Sequence, residues 1–401
     1  MTNCRQLVVC GAAVATVAAL GVTPQVAPVQ LAALIIGASS TNPGGDGVSD
    51  FYGGHYQQDP TVVANFLTGP AGIYRAIADN RDDDDNVVLS SGWGAANASL
   101  LLSQLKATHD PVLSNPTLYV LDNNVASPNG GFGTRLPGFA VIGVNPIPTP
   151  TDPGVPVVNV VYEYDINSNI PAYLWNAPAM ANSLMAYFER RLNQESLDFP
   201  VDATGEVRPD LCDAACQSSL DAGDTVTFTL TGDQVARVKK VDDTTYVSYE
   251  SQRLPLVAPL RVFGEPGNRL ADAATPALRA VVDYGYPDND PLVKPEKYTP
   301  ARLLPSRKET RRFVDDFTAG LEQGATMLRE DGAAPAHRAR PLVRQSLDFS
   351  PKARHASAGT TKRPVAGLVK SAIERARTLT KKLRGPSPAG DDDAAPADTT
   401  E

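Results

Sequence analysis

The chain has 401 residues, of which 42% are apolar and 20% charged, and its length allows two domains or one large α/β domain with appendages. Four cysteines exclude a disulfide scaffold and a cysteine-based zinc module. Residues 1–300 carry 17 Lys and Arg against 32 Asp and Glu, a net charge of −15, whereas residues 301–401 carry 19 against 13, a net charge of +6. An acidic globular part with a basic tail argues against nucleic acid as a partner.

The N-terminus has the pattern of a secretory signal. Arg5 precedes an almost unbroken run of small and aliphatic residues from Leu7 to Thr23, and Pro24 ends that run. We expect cleavage at a site between about residue 20 and residue 30. The mature protein would then be secreted or held in the cell envelope. A membrane anchor is the alternative, although the run falls short of the roughly 20 residues that a helical span needs.

Short apolar runs alternate with helical patterns through the first half of the chain. The predicted buried strands are Leu31–Gly37, Asn86–Leu89, Pro116–Asp122 and Val157–Tyr164, and the predicted helices include Ser99–Leu105 and Ala179–Leu192. This order indicates an α/β fold, a mostly parallel sheet flanked by helices. Val226–Leu230 and Thr244–Tyr249 alternate in period two, which predicts a small antiparallel addition.

The character of the chain changes near residue 300. Phe313–Glu330 has the spacing of one amphipathic helix, and the residues after it are too poor in apolar side chains to order themselves. Val365–Leu383 is a basic segment with helical spacing that fits an anionic membrane surface, a partner or a solvated linker. We therefore assign residues 1–30 to a signal-like segment, 31–300 to the α/β domain, 301–332 to a helical extension and 333–401 to a disordered tail, basic and then acidic.

Cys212 and Cys216 are the cysteines that remain after removal of a signal segment. In an oxidising compartment they predict a local structural bridge, with two free thiols as the alternative. Their spacing is not the C-x-x-C of redox sites.

A nucleophile elbow is a sharp strand-to-helix turn whose residues two before and two after the central position must be small. After the strand at Asn86–Leu89, centring this frame on Ser90 or Ser91 places Val88 or Leu89 at a position that must be small. Centring it on Gly92 satisfies the rule on both sides. The sequence thus predicts the turn, with glycine at the position of the nucleophile.

The histidines give an independent test, because the chain order in this fold is Ser, then the acid, then His. The four histidines are His55, His109, His337 and His355, and none falls between residues 110 and 336. A serine without such a base is poorly activated near neutral pH. The sequence therefore favours a fold that has lost its hydrolytic machinery.

Several segments, in order, resemble the PE-PPE domain, the serine-esterase-like α/β-hydrolase domain of mycobacterial-type cell-envelope proteins. The similar segments are Ile35–Pro43, Val87–Ala95, Ser127–Pro137 (with Ser127 where the family has Arg), Tyr164–Pro171, Leu254–Arg261 and Val281–Pro287. By this resemblance the nucleophilic serine falls on Gly92, and the histidine falls near Arg190 and Arg191. Of the two acidic positions in the family's Asp motif, the first is Asp165 and the second is Asn169.

Three hypotheses follow from the sequence. The first is a PE-PPE-type domain without hydrolysis that binds a lipid or acyl ester of the cell envelope. The second is a working serine esterase that uses Ser91 or Ser90, with Asp165 as the acid, which makes Ser91 and Asp165 the candidate catalytic residues. The third is an interaction protein whose basic tail, residues 302–384, docks on an anionic envelope surface. We expect no cofactor, no metal and no nucleic-acid partner.

Overall fold

The structure is a computed structural model that describes residues 33–81, 86–191, 193–286 and 290–333. Within them, eight strands form one sheet in the order β2-β1-β3-β4-β5-β8-β7-β6. The strands are β1 Leu34–Gly37, β2 Thr61–Ala64, β3 Asn86–Ser91, β4 Pro116–Asp122, β5 Val157–Tyr162, β6 Thr225–Thr229, β7 Val235–Val241 and β8 Thr244–Tyr249. From β2 to β8 all neighbours are parallel, and β7 and β6 add an antiparallel edge.

Helices cover this sheet and confirm the predicted α/β fold class. They are α1 Phe51–Gly54, α2 Gly69–Asp79, α3 Trp93–Thr108, α4 Pro111–Ser114, α5 Phe132–Arg135, α6 Ala177–Arg191, α7 Ala214–Asp221, α8 Ala258–Arg261, α9 Glu265–Asp283 and α10 Arg307–Ala333. On one face, Ile73 and Ile77 of α2 and Leu102 of α3 form a cluster with side chains of the central strands, among them Ile35, Val88 and Tyr119. A second cluster, which includes Phe199, fills the other face. The central strands are mostly apolar because both of their faces are buried; Asn159 in β5 and Ser90 in β3 are buried exceptions.

The predicted antiparallel addition is present, and it contains a third strand. β7 lies between β6 and β8 and pairs antiparallel with both. β8 pairs in parallel with β5 and antiparallel with β7, so it closes the parallel part of the sheet. The sequence hid β7 because Arg237, Lys239 and Lys240 interrupt its apolar pattern.

The predicted C-terminal helix is present and longer than its apolar pattern. α10 packs along α9, where Gly320 and Gly324 meet the α9 backbone so closely that an added Cβ would lie 2.6 and 2.0 Å from it. Cys212, just before α7, forms a disulfide bond with Cys216 in the first turn of that helix. The signal-like segment, the tail beyond residue 333 and its segment Val365–Leu383 lie outside the described residues. In the described part of the chain, no helix has the length and apolarity to cross a bilayer.

Candidate functional site

The turn from β3 into α3 is centred on Gly92, which has φ 58° and ψ −118°. Only glycine adopts such a positive φ without a steric cost from Cβ. Two residues later, a Cβ on Gly94 would lie 2.2 Å from the carbonyl oxygen of Gly37. Two residues earlier, Ser90 is fully buried, and its Oγ would lie 2.2 Å from a Cβ on Gly37. The requirement for small neighbours therefore comes from the close approach of β1.

Asp122, at the C-terminal end of β4, collects hydrogen bonds beneath this turn. Its Oδ1 accepts from the hydroxyls of Tyr52 and Tyr162, both at 2.7 Å. Its Oδ2 accepts from Ser91 Oγ at 2.6 Å and from Gln194 Nε2 at 2.7 Å. Ser91 and Asp122 are cross-strand partners in the register of β3 and β4, which explains why they meet.

The two tyrosines stay protonated donors. Burial, followed by the charge of Asp122, raises the pKa of both Tyr52 and Tyr162 well above the ordinary value. Tyr52 has φ 58°, a conformation that is strained for a bulky side chain and that persists where surrounding contacts hold it. Here those contacts include its hydrogen bond to Asp122 and its stacking on Phe199 at 4.1 Å between ring centroids.

Arg190, in the last turn of α6, connects the two buried carboxylates of the site. Its Nε donates to Asp165 Oδ2 at 3.0 Å, and its Nη1 lies 3.5 Å from Asp122 Oδ2. Its guanidinium also lies over the Tyr162 ring, 4.8 Å from the centroid. Burial lowers the pKa of Arg190, but the charges of Asp165 and Asp122 outweigh that effect, so the pKa is raised and the side chain keeps its charge.

Asp165 is held from several directions. Its Oδ1 accepts from the backbone N–H groups of Asn167 at 2.7 Å and Ser168 at 3.3 Å, and its Oδ2 accepts from Arg190. Burial raises the pKa of Asp165, while the nearby guanidinium and the two N–H groups oppose the rise. Asp165 is therefore paired with the Arg190 guanidinium.

A pocket of about 300 Å³ opens above the turn, at the C-terminal ends of β1 and β3. Open α/β sheets bind ligands at this edge. Its lining is mostly neutral, with hydroxyls and amides from the loop after β1, the turn and the loop after β5, and with three aromatic side chains. The lining includes Ser39, Ser40, Thr41, Asn42, Phe51, Ser91, Gly92, Trp93, Asn167, Tyr187, Arg190 and Arg191.

The candidate residues from the sequence occupy different places around this pocket. Ser91 lines it, whereas Ser90 is 0% exposed and faces Gly37 beneath it. Asp165 lies behind Arg190, and a chain of contacts runs from Ser91 through Asp122 and Arg190 to Asp165. Asn169, at the family's second acidic position, is buried beside Gly130.

Neither of the two histidines within the described residues is among those that line this pocket. His55 packs against Tyr56 and Phe199, and burial lowers its pKa. His109 caps the C-terminal end of α3, while Gly92 lies at the N-terminal end. A helix of 16 residues is about 24 Å long, so His109 is far from the turn. His337 and His355 lie outside the described residues.

Sequence reasoning missed Asp122, Tyr52 and Gln194. An acidic residue at the C-terminal end of a predicted central strand was a usable signal for Asp122, since strands end at the ligand-binding edge. Tyr52 and Gln194 lie 70 and 72 residues from Asp122 in the chain, and no local pattern connects them to it.

These features define an α/β domain with a strand–turn–helix elbow and a pocket at the C-terminal edge of its sheet. The family model described as PE-PPE domain matches residues 50–196 and 229–287, just over half of the chain. The chain therefore belongs to the PE-PPE domain family.

Two curated relatives are PPE family proteins of Mycobacterium tuberculosis. The chain is 26% identical over 295 residues to PPE28 of strain H37Rv, across 66% of this chain and 40% of that protein. It is 30% identical over 216 residues to PPE42 of strain CDC 1551, across 52% of this chain and 30% of that protein. The chain thus spans less than half the length of these relatives, and no solved structure matches it.

Proposed function

We propose that the pocket above Gly92 binds a lipid or acyl ester of the cell envelope without hydrolysing it. The observation that carries this proposal is the pairing of Gly92 with Arg190. At the two positions where the family resemblance implies a serine and a histidine, this chain has a residue without a side chain and a buried cation. Neither can take part in the proton transfer that activates a serine nucleophile.

The pocket itself supports binding of an ester. Phe51, Trp93 and Tyr187 offer aromatic surface for an acyl chain, and the surrounding hydroxyls and amides offer partners for ester oxygens. The N-terminus of α3 points its first N–H groups toward this edge, which favours a carbonyl oxygen. A volume of about 300 Å³ lies at the lower end of the range for ligand sites and fits a short to medium acyl chain.

The location in the envelope is part of the same proposal. The apolar run at Leu7–Thr23 supports export, and the Cys212–Cys216 disulfide supports an oxidising compartment. Membership of the PE-PPE family, whose matched relatives are PPE family proteins, supports a role at the cell surface of a mycobacterial-type envelope.

The two tryptophans give a direct test of binding. Trp93 lines the pocket, whereas Trp175 is half exposed and donates its Nε1–H to Leu303. In the Trp175→Phe variant, Trp93 is the remaining tryptophan, and addition of methyl octanoate should change its fluorescence. The ester should be recovered intact after incubation. Trp93→Phe is the matched control and should not respond. An unchanged Trp93 signal, or cleaved ester, would contradict the proposal.

A second candidate function rests on the 2.6 Å hydrogen bond from Ser91 Oγ to Asp122 Oδ2. A pocket-lining serine whose hydroxyl donates to a carboxylate has the geometry of a nucleophile beside a base. Against this, Asp122 already accepts from two tyrosines and a glutamine, so its lone pairs are occupied. If this esterase exists, hydrolysis of short p-nitrophenyl esters will disappear in Ser91→Ala and persist in the control Ser103→Ala.

A further inference from the structure

Two leucines that follow the part of the chain that matches the family form a prominent apolar tip. Leu303 is 86% exposed and Leu304 is 80% exposed, in the segment that leads into α10. Trp175, which is 52% exposed, lies against the same segment. Two adjacent leucines at this exposure, beside a half-exposed tryptophan, have no role in the packing of a monomer.

The tip is held in a fixed geometry. The backbone N–H of Arg302 donates to the carbonyl of Ala172 at 2.8 Å, and Trp175 Nε1–H donates to the carbonyl of Leu303 at 2.9 Å. Glu309 accepts from Tyr173 at 2.9 Å and from Arg302 at 2.9 Å. The exposure of the leucines is thus maintained by contacts on both sides of them.

The start of α10 adds positive charge beside the tip. Arg307, Lys308 and Arg311 are exposed on one face of the helix, at positions i, i+1 and i+4. Glu309, the acidic residue of the first turn, is turned inward and paired with Arg302. Cations in the first turn of a helix oppose the helix dipole. The helix dipole therefore disfavours Arg307 and Lys308 at these positions, so the stability of α10 does not explain them.

We propose that this surface, formed by Leu303, Leu304, Trp175, Arg307, Lys308 and Arg311, docks on an anionic lipid bilayer. Exposed aliphatic side chains can enter the boundary between headgroups and acyl chains, while flanking basic residues pair with anionic headgroups. A tryptophan whose N–H is satisfied suits the same interfacial depth. Charge complementarity thus selects an anionic membrane over a neutral apolar partner. The surface is independent of the pocket and of the acyl ester proposed for it.

The test is sedimentation of the full chain with vesicles. Vesicles of equimolar phosphatidylcholine and phosphatidylglycerol should bind the protein, and vesicles of phosphatidylcholine alone should bind it much less. Arg307→Ser combined with Lys308→Ser should weaken binding to the anionic vesicles about 30-fold, at roughly 1 kcal/mol for each basic residue near the surface. Leu303→Ser combined with Leu304→Ser should weaken it at least about tenfold.

Val141→Ser combined with Ile142→Ser is the matched control. These residues are 89% and 60% exposed, and no basic residue adjoins them in the chain from Gly138 to Thr151. Binding should be unchanged in this variant. Equal binding to neutral vesicles, an equal loss in the control, or no loss in both tip variants would overturn the proposal. The last result would assign the anionic binding to the basic residues between positions 334 and 384.

Discussion

The β3–α3 turn and the end of α6 border the same pocket, yet they differ in how closely they match a hydrolase site. The turn keeps its geometry, with a positive φ at Gly92 and glycine at position 94 against the β1 backbone. The end of α6 carries different chemistry, because Arg190 joins two buried carboxylates where a histidine would use one. The comparison separates two kinds of constraint. Packing requires the shape of the turn whatever its chemistry, whereas only catalysis requires a base.

The largest effect is expected from Arg190→Met. The change leaves Asp122 and Asp165 buried without their cation, which should lower the free energy of unfolding by about 3–5 kcal/mol. Chemical denaturation will measure it. Arg191→Met, at the exposed neighbour, should change stability by less than about 0.5 kcal/mol. Equal losses of stability in the two variants would contradict the structural role of Arg190.

The pH dependence of Arg190→Met sharpens that prediction. Burial already raises the pKa of Asp165 above its unfolded value, and removal of the cation raises it further. A group with a raised folded pKa stabilises the protein at low pH and loses that contribution as pH rises through the folded pKa. The difference in the free energy of unfolding between wild type and Arg190→Met should therefore shrink as the pH falls from neutral to about pH 5. A difference that is constant over this range would contradict it.

Gly94→Ala tests the packing half of the comparison. Its Cβ would meet the carbonyl oxygen of Gly37 at 2.2 Å, and backbone atoms cannot move aside easily. We expect a loss of about 3 kcal/mol in the free energy of unfolding. Gly138→Ala is the control, since nothing lies within 4 Å of an added Cβ there. If the Gly94→Ala variant is as stable as the wild type, the turn has space for a methyl group and the packing argument is wrong.

Ser91→Ala should cost less, about 2 kcal/mol, because it removes one of four hydrogen bonds to a buried carboxylate. Thermal unfolding will measure the loss. Ser103→Ala provides the comparison, since Ser103 bonds only its own helix, at 3.1 Å to the Ser99 carbonyl. A stability equal to that of the control would mean that Ser91 does not support Asp122.

Gly92→Ser should have the smallest effect on stability. An added Cβ meets only Asn167 Nδ2, at 3.5 Å, so the cost is that of the strained backbone conformation alone, at the lower end of about 1–3 kcal/mol. Without a base, the variant should hydrolyse p-nitrophenyl acetate no faster than wild type. Rapid turnover would show that the site contains a base that we have not identified.

The strands were predictable where both faces are buried. The bounds of β4 and β8 agree with their apolar patterns, whereas the edge strand β2 is only partly buried and gives no clear pattern. The turn was predictable because the requirement for small residues two positions before and after its centre involves only neighbours in the sequence.

The carboxylate cluster was harder to predict. Asp122 becomes central only because Tyr52, Ser91, Arg190 and Gln194 converge on it from four separate elements. The sequence resemblance pointed to both Arg190 and Arg191 as replacements for the histidine. Only the phase of α6 turns Arg190 inward and leaves Arg191 exposed.

Our central proposal is that the turn has the shape of a nucleophile elbow without a nucleophile at its centre. It is tested most directly by treating the full chain with a fluorophosphonate and measuring its intact mass, with an active serine esterase labelled in the same reaction. The account predicts that the mass of the chain does not change. An added phosphonyl group that disappears in Ser91→Ala would contradict it and would make Ser91 the nucleophile of a working enzyme.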